Sequence, residues 1–314
     1  EKMLEIKGDS DHTKLIDMLT DLNDYSIGIE DVLKEHFDEE NIVYWMAFQI
    51  LMGNVDTQNR NVYLYSPLNS DIWYFIAWDN DGCLMRPEYE LRNFSDQNSW
   101  EKGISNYWGN ILFQRCLKSR SFREKLNDAI LDLREYLNKD MLTSKIESYK
   151  NVLKPYLYLM PDAEYEPLTS EQYDQIAASL PDEIEKNYQL YLESLETPMP
   201  FYIGVPTIDG DKLKFNWDVS YDLDAEDITY SVEVAGDYLF RDVIYQNTTL
   251  TVPEAEMDLP KAGQYFVRVR ATNTSGKTQD AFDYYVTDEG KYYGMRCFYI
   301  TEDSTVEEDD YEEG

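Results

Sequence analysis

The chain has 314 residues, more than one hydrophobic core usually organises, which predicts two domains. Its 62 acidic against 28 basic side chains leave a formal net charge of −34, a field that repels nucleic acid and anionic membrane surfaces and argues strongly against either as a partner. No apolar run is long enough to span a bilayer, and the 14% aromatic content is that of a folded protein.

The chain opens on Glu1 inside a strand-like "KMLEIKG", which reads as a piece of a longer protein. From Asp9 to Met52 the pattern is helical. Leu15, Ile16, Leu19 and Leu22 recur at helical spacing, and a short helix then precedes a second one for which Asn41 is a plausible cap. That second helix, through Ile42, Val43, Trp45, Met46, Ala47, Phe48, Ile50 and Leu51, is apolar on nearly every side and belongs inside a domain. Gly53 stops it. "NVYLY" and "IWYFIAW" around "SPLNSD" signal a hairpin, and residues 104 to 160 return to helix, with another helix at "EIEKNYQLYLESLE". His12 and His36, amid charged residues, are expected to face solvent.

Thr197–Pro200 reads as a linker. Beyond it the period changes to two through "KLKFNW", "ITYSVEV", "DVIYQ", "TLTVP", "QYFVRVRAT" and "DAFDYYV", the signature of a β-sandwich. The acidic end from Thr301 is expected to be a disordered tail. The fold class is therefore α+β: a helical domain with one hairpin over 1–197, an all-β sandwich over 198–300 and a tail over 301–314. Cys83, Cys116 and Cys297 are widely spaced with no C-x-x-C pair, which predicts buried free thiols rather than a zinc site.

The polar stretch "GNVDTQNRN" between buried helix and hairpin carries the chemistry. Asp56 and Asn61 have the D-x-x-x-x-N spacing of a kinase catalytic loop, in which the Asp accepts the proton of the attacking hydroxyl and the Asn ligates magnesium. The hairpin's second strand ends in Asp79, where a kinase places the Asp that bridges metal and phosphates. The plainer reading of Asp56 and Asn61 is a helix-terminal turn satisfying backbone groups. A calcium loop at Asp79, Asp81 and Gly82 has its Gly at the wrong offset, and nothing else supports a glycosidase pair of Asp56 and Asp79. The Trp and Tyr crowd from Trp73 to Trp108 reads as core, with a carbohydrate-stacking platform as the alternative.

"YWMAFQILMGNVDTQNRNVYLY" followed by "WYFIAWDND" resembles the spore coat protein H (CotH) family of atypical kinases, at Asn54, Asp56, Asn59, Asn61, Tyr63, Trp78, Asp79 and Asp81. The resemblance runs from about Ile6 to Pro198 and implies a kinase-like fold using ATP with Mg or Mn to phosphorylate Ser of spore coat or secreted bacterial proteins. It implies Asp56 as catalytic Asp and Asp79 as metal ligand; the spacing adds Asn61 as second ligand. Asn59, Arg60 and Asp81 stay open between ligating, orienting the loop and capping turns. The chain departs from the wider kinase pattern: it has no Gly-rich loop, no V-A-I-K lysine and no His-Arg before Asp56. Too few residues precede Asp56 for a nucleotide-binding lobe, so this chain alone is expected to bind ATP weakly and to turn over poorly. "LPKAGQYFVRVRATNTSGKTQ" looks like a fibronectin type III module, with Tyr265 as corner tyrosine and Trp217 as core tryptophan. The rival to a kinase is a surface binding module that holds protein or polysaccharide on a kinase-like scaffold.

Overall fold

The structure is a computed structural model that describes residues 11–58, 60–91, 100–288 and 290–308. The strand expected within "KMLEIKG" lies outside them. The chain divides into two compact units, Glu1–Leu84 with Asn110–Glu185, and Met85–Gly109 with Lys186–Gly314.

In the first unit, helices α1 (Thr13–Asn23), α2 (Ile29–His36) and α3 (Glu39–Met52) precede the two-stranded hairpin β1 (Tyr63–Tyr65) and β2 (Tyr74–Ile76). The short α4 (Arg86–Leu91) belongs to the second unit, and α5 (Ile111–Lys118), α6 (Arg120–Tyr136) and α7 (Lys139–Leu157) return to the first. Helix α3 is buried as its all-round apolar sequence demands, packing Trp45 against Phe75 of β2 and Phe113 of α5 at ring-centroid distances of 4.7 and 5.6 Å. Its cap is Asp38, whose carboxylate accepts from the Asn41 amide N–H, and not Asn41 itself. Asn41 instead uses its side chain across the unit. Its Oδ1 accepts from the Phe75 N–H (2.7 Å) and its Nδ2 donates to the Phe75 carbonyl (3.2 Å), tying β2 to the first turn of α3.

His36 is buried rather than solvent-facing, because its Nε2 lies 2.8 Å from the Asp21 carboxylate. The predicted helix around residues 105–118 breaks into a single turn at Ser105–Tyr107 and α5, since Asn110 caps α5 through the Leu112 N–H. Helix α8 (Ser170–Glu196) starts well before the "EIEKNYQLYLESLE" segment and continues through Pro181. Among the described residues no helix is long and apolar enough to cross a membrane. All three cysteines are free; Cys116 and Cys297 are buried, Cys83 half-buried.

The second unit is β-rich. Strands β3 (Thr207–Asp209), β4 (Lys212–Asn216), β5 (Ile228–Ala235), β6 (Val243–Leu250), β7 (Glu254–Asp258) and β8 (Gly263–Asn273) come first. They are followed by β9 (Thr278–Asp280), β10 (Tyr284–Thr287), β11 (Gly290–Tyr293), β12 (Met295–Ile300) and β13 (Val306–Glu308). One sheet runs β13-β12-β8-β5-β6 with β9 on β8, a second β3-β4-β7, and β10 and β11 pair apart. Leu213 and Phe215 of β4 share one core with Val232, Val234, Val267, Val269, Phe298 and Trp217, so the inward-facing residues of both sheets meet.

Three expectations change here. Thr249 and Leu250 of "TLTVP" end β6 and residues 251–253 bend away, and the next strand falls on the acidic "EAEMD", where half-buried Ala255 and Met257 alternate with exposed acids. Residues 306–308 form an edge strand antiparallel to β12 instead of a disordered tail. The segment Thr197–Pro200 is buried, not an exposed linker: the Met199 N–H donates to the Tyr221 carbonyl, and Met199 has no exposed surface.

Candidate functional site

The C-terminus of α3 builds the first half of the site. Gly53 adopts a left-handed conformation (φ 61°, ψ 34°); its N–H donates to the Ile50 carbonyl and that of Asn54 to the Gln49 carbonyl, which closes the helix. A single tight helical turn, Val55–Thr57, then presents Asp56. Asn54 is only 2% exposed, and its Oδ1 accepts from the Asp56 N–H at 3.2 Å. Thr57, fully buried, donates its hydroxyl to the Asn54 carbonyl.

The second half comes from the hairpin. Strand β2 ends at Ile76, and Asp79 follows in a left-handed conformation (φ 49°, ψ 60°) before the turn Asn80–Gly82. Leu84 then returns to the helix, its N–H donating to the Met52 carbonyl at 2.8 Å. Gly82 lies directly against the first half. A Cβ added there would sit 2.9 Å from Asn54 Oδ1 and 3.1 Å from Asp56 Oδ2, so only glycine lets the two turns approach this closely. Three amides join them: Gln49 Nε2 to Asn80 Oδ1 at 3.1 Å, Asn54 Nδ2 to Gln49 Oε1 at 3.0 Å, and Asn54 Nδ2 to Asn80 Oδ1 at 3.4 Å.

Electrostatics records the same convergence. The Asp79 carboxyl is held above the ordinary carboxylate range, first by the Asp81 charge, then by lost solvent, a shared hydrogen bond with Asp81, and the Asp56 charge. The Cys83 thiol is pushed up to about 12 by burial, against a hydrogen bond with Asn54, which leaves it unsuited to nucleophilic work.

Among the predicted site residues, Asp56, Asp79 and Asp81 therefore lie on two turns packed together. Asn61, half-buried and left-handed (φ 56°), sits just before β1, whose Tyr63 pairs with Ile76 of β2, so Asn61 and Asp79 flank the same open end of the hairpin. Arg60 is exposed, and Asn59 lies outside the described residues. Sequence reasoning left out Gln49, Asn80 and Gly82 as functional positions. Gln49 could have been found as the lone amide in an otherwise apolar stretch of α3, since a buried amide needs polar partners. Among the described residues no three His, Cys, Asp or Glu side chains are grouped to hold a metal by themselves, so a cation here would also need amide oxygens. Carboxylate and amide oxygens are the donor types that hard divalent cations take, and the crowded negative charge at Asp79 is what such a cation relieves.

A buried helix ends in one Asp turn and a hairpin leads to a second in a protein of the α+β class, and the family match makes that protein kinase-like. The chain belongs to the CotH family: the family model described as "CotH kinase protein" matches residues 1–191. No curated protein matches the chain. Among solved structures, the twitchin kinase region from C. elegans (Fn31-NL-kin-CRD-Ig26) is similar at 16% identity over 30% of this chain and 20% of its own, with a TM-score of 0.23. The surface layer protein SbsC, domains 1–6, is similar at 11% identity over 98% of this chain and 40% of its own, with a TM-score of 0.17. The chain thus spans well under half the length of either.

Proposed function

We propose that this chain carries the cation-holding half of an atypical protein kinase, which moves the γ-phosphoryl of ATP to a Ser hydroxyl of a secreted or spore coat protein. Asp56 accepts the hydroxyl proton as the oxygen attacks phosphorus. Asp79 and Asn61 hold Mg or Mn, with Asn59, Arg60 and Asp81 as neighbours that ligate or orient. A cation held there would supply positive charge to offset the negative charge that develops during transfer. The carrying observation is the contact of the two turns: Gly82, three residues past Asp79, lies against the Asp56 carboxylate.

Phosphoryl transfer is mostly positioning and charge stabilisation. Because no Gly-rich loop or V-A-I-K lysine is present, the chain alone is expected to bind Mg-ATP weakly; a micromolar affinity by calorimetry would overturn that part. The β-rich unit is proposed to be a fibronectin type III-like module. The order β13-β12-β8-β5-β6 against β3-β4-β7 supports this, as does the Tyr265 hydroxyl at the start of β8 donating to the Lys261 carbonyl at 2.9 Å.

The test is transfer of labelled phosphate from ATP to a Ser-rich acceptor by the whole protein. Asp56→Asn should lower the rate by about 10²–10⁴-fold, the usual contribution of a positioned base. Asp79→Ala should abolish labelling. Equal labelling by wild type and both variants would sink the proposal.

A further inference from the structure

We propose that Gln49, Asn54 and Asn80 are positioning residues whose linked amides hold the Asp56 turn and the Asp79 turn together around one divalent cation. This rests on the cation-binding reading above. Gly82 lies against the Asp56 carboxylate on the turn that follows Asp79 and holds Asp81, so three acidic side chains sit on two turns in contact, and like charges that close need a neutral tie. Neutral amides supply that tie without adding charge to the site. Gln49 is suited to the task because it is 1% exposed on the rigid helix α3 and bonds through both ends of its amide. Leaving one end of a buried amide unbonded is unfavourable, so each orientation in the set is dictated by its neighbours.

The direction of the bonds makes the three positions unequal. Asn80 serves only as an acceptor, taking the Gln49 and Asn54 N–H groups on Oδ1. Asn54 must do both: its Nδ2 donates to Gln49 Oε1 and Asn80 Oδ1, while its Oδ1 accepts the Asp56 N–H. A carboxylate is therefore tolerable at position 80 and intolerable at position 54, where it would face the Gln49 carbonyl oxygen with no hydrogen to offer.

The experiment is Mn²⁺ titration of the whole chain, followed by electron paramagnetic resonance, with the melting temperature recorded beside it. Asp79→Ala serves as control and should abolish binding. Asn80→Leu and Asn54→Asp should each weaken Mn²⁺ affinity by about 10–100-fold, as loss of a group supporting metal ligands does elsewhere. Asn80→Asp should bind at least as tightly as the wild type. Gln49→Met, which keeps the volume and removes the bonds, should behave like Asn80→Leu. Position 80 lies on a half-exposed turn, so its two variants decide the question even if Gln49→Met does not fold. If Asp79→Ala loses the ion while Asn80→Leu and Asn54→Asp keep wild-type affinity, the positioning claim falls and the cation site stands. Equal losses in Asn80→Asp and Asn80→Leu also overturn it. If Asp79→Ala binds like wild type, the cation reading falls and the positioning claim with it.

Discussion

Gly82 shows how a residue without a side chain can set a site. A Cβ added there would come within 2.9 Å of Asn54 Oδ1 and 3.1 Å of Asp56 Oδ2, so any larger residue forces those two side chains to shift. For the proposed phosphoryl transfer, Gly82→Ala should leave secondary structure intact and lower the rate by up to about 10²-fold, the loss that a displacement near 1 Å at reacting groups brings. Circular dichroism together with labelled-ATP transfer checks it, and unaltered transfer would show that the close approach of the turns is immaterial. At this scale the sequence was legible where local pattern carried information: it placed Asp56 on a turn after a buried helix and Asp79 on a turn after the hairpin, although β2 itself ends earlier, at Ile76. It was not legible where the information is three-dimensional. Gln49 and Asn80 are 31 residues apart and meet only because the hairpin folds back over α3.

The hairpin is a weak element that depends on its attachment to α3. Two strands of three residues each bury little and are not stable in isolation. What fixes them is Phe75, 3% exposed and packed on Trp45, and the Asn41 amide that bonds both the N–H and the carbonyl of Phe75. Parallel bridging of Phe37 to Trp73 aligns the strand's entry, with the Trp73 N–H donating to the His36 carbonyl at 2.7 Å. Asn41→Ala strips the Phe75 backbone of both partners and should cost about 1–3 kcal/mol, the range for buried groups left unsatisfied. Chemical denaturation measures that cost. Native-state hydrogen exchange should show the Phe75 amide exchanging faster while amides in the middle of α6 keep their protection. Equal protection at Phe75 in both proteins would mean that the strand is held by ring packing alone. Periodicity identified α3 and the hairpin, because a wholly apolar helix and aromatic strands leave strong signals. It misassigned the Asn41 role, because Asn at a helix start is equally a cap and a cross-link until the partner is seen. It missed β7 for the complementary reason: with only Ala255 and Met257 inward, the strand carries too little apolar pattern to register.

At the scale of the molecule, chain order and compact units do not coincide. Reading periodicity along the sequence places the change from helix to sandwich near residue 197, and the change of period is real: β3 to β13 all lie beyond it. Compactness, however, assigns Met85–Gly109 to the β-rich unit, since side chains from this earlier stretch complete its packing. Trp100, 5% exposed, donates its indole N–H to the Phe282 carbonyl at 3.1 Å and meets the Phe282 and Tyr293 rings edge-on at 5.0 and 6.0 Å. The Tyr293 hydroxyl reaches Glu101 at 2.8 Å, and the Ile104 N–H donates to Ser194 Oγ at 3.0 Å. No period in the sequence announces this, because recruitment of a distant segment leaves no local pattern. It has a measurable consequence. Residues 198–314 expressed alone lack Trp100 and expose Phe282, so they should be less stable than the same strands in the whole chain. Within the whole chain, Trp100→Ala should destabilise the β-rich unit by about 3–5 kcal/mol, as buried Trp truncations do. Denaturation followed by hydrogen exchange at β12 amides reads that unit directly. If 198–314 alone matches the β12 protection of the whole chain, the sandwich closes on its own and the 85–109 segment is only attached to it.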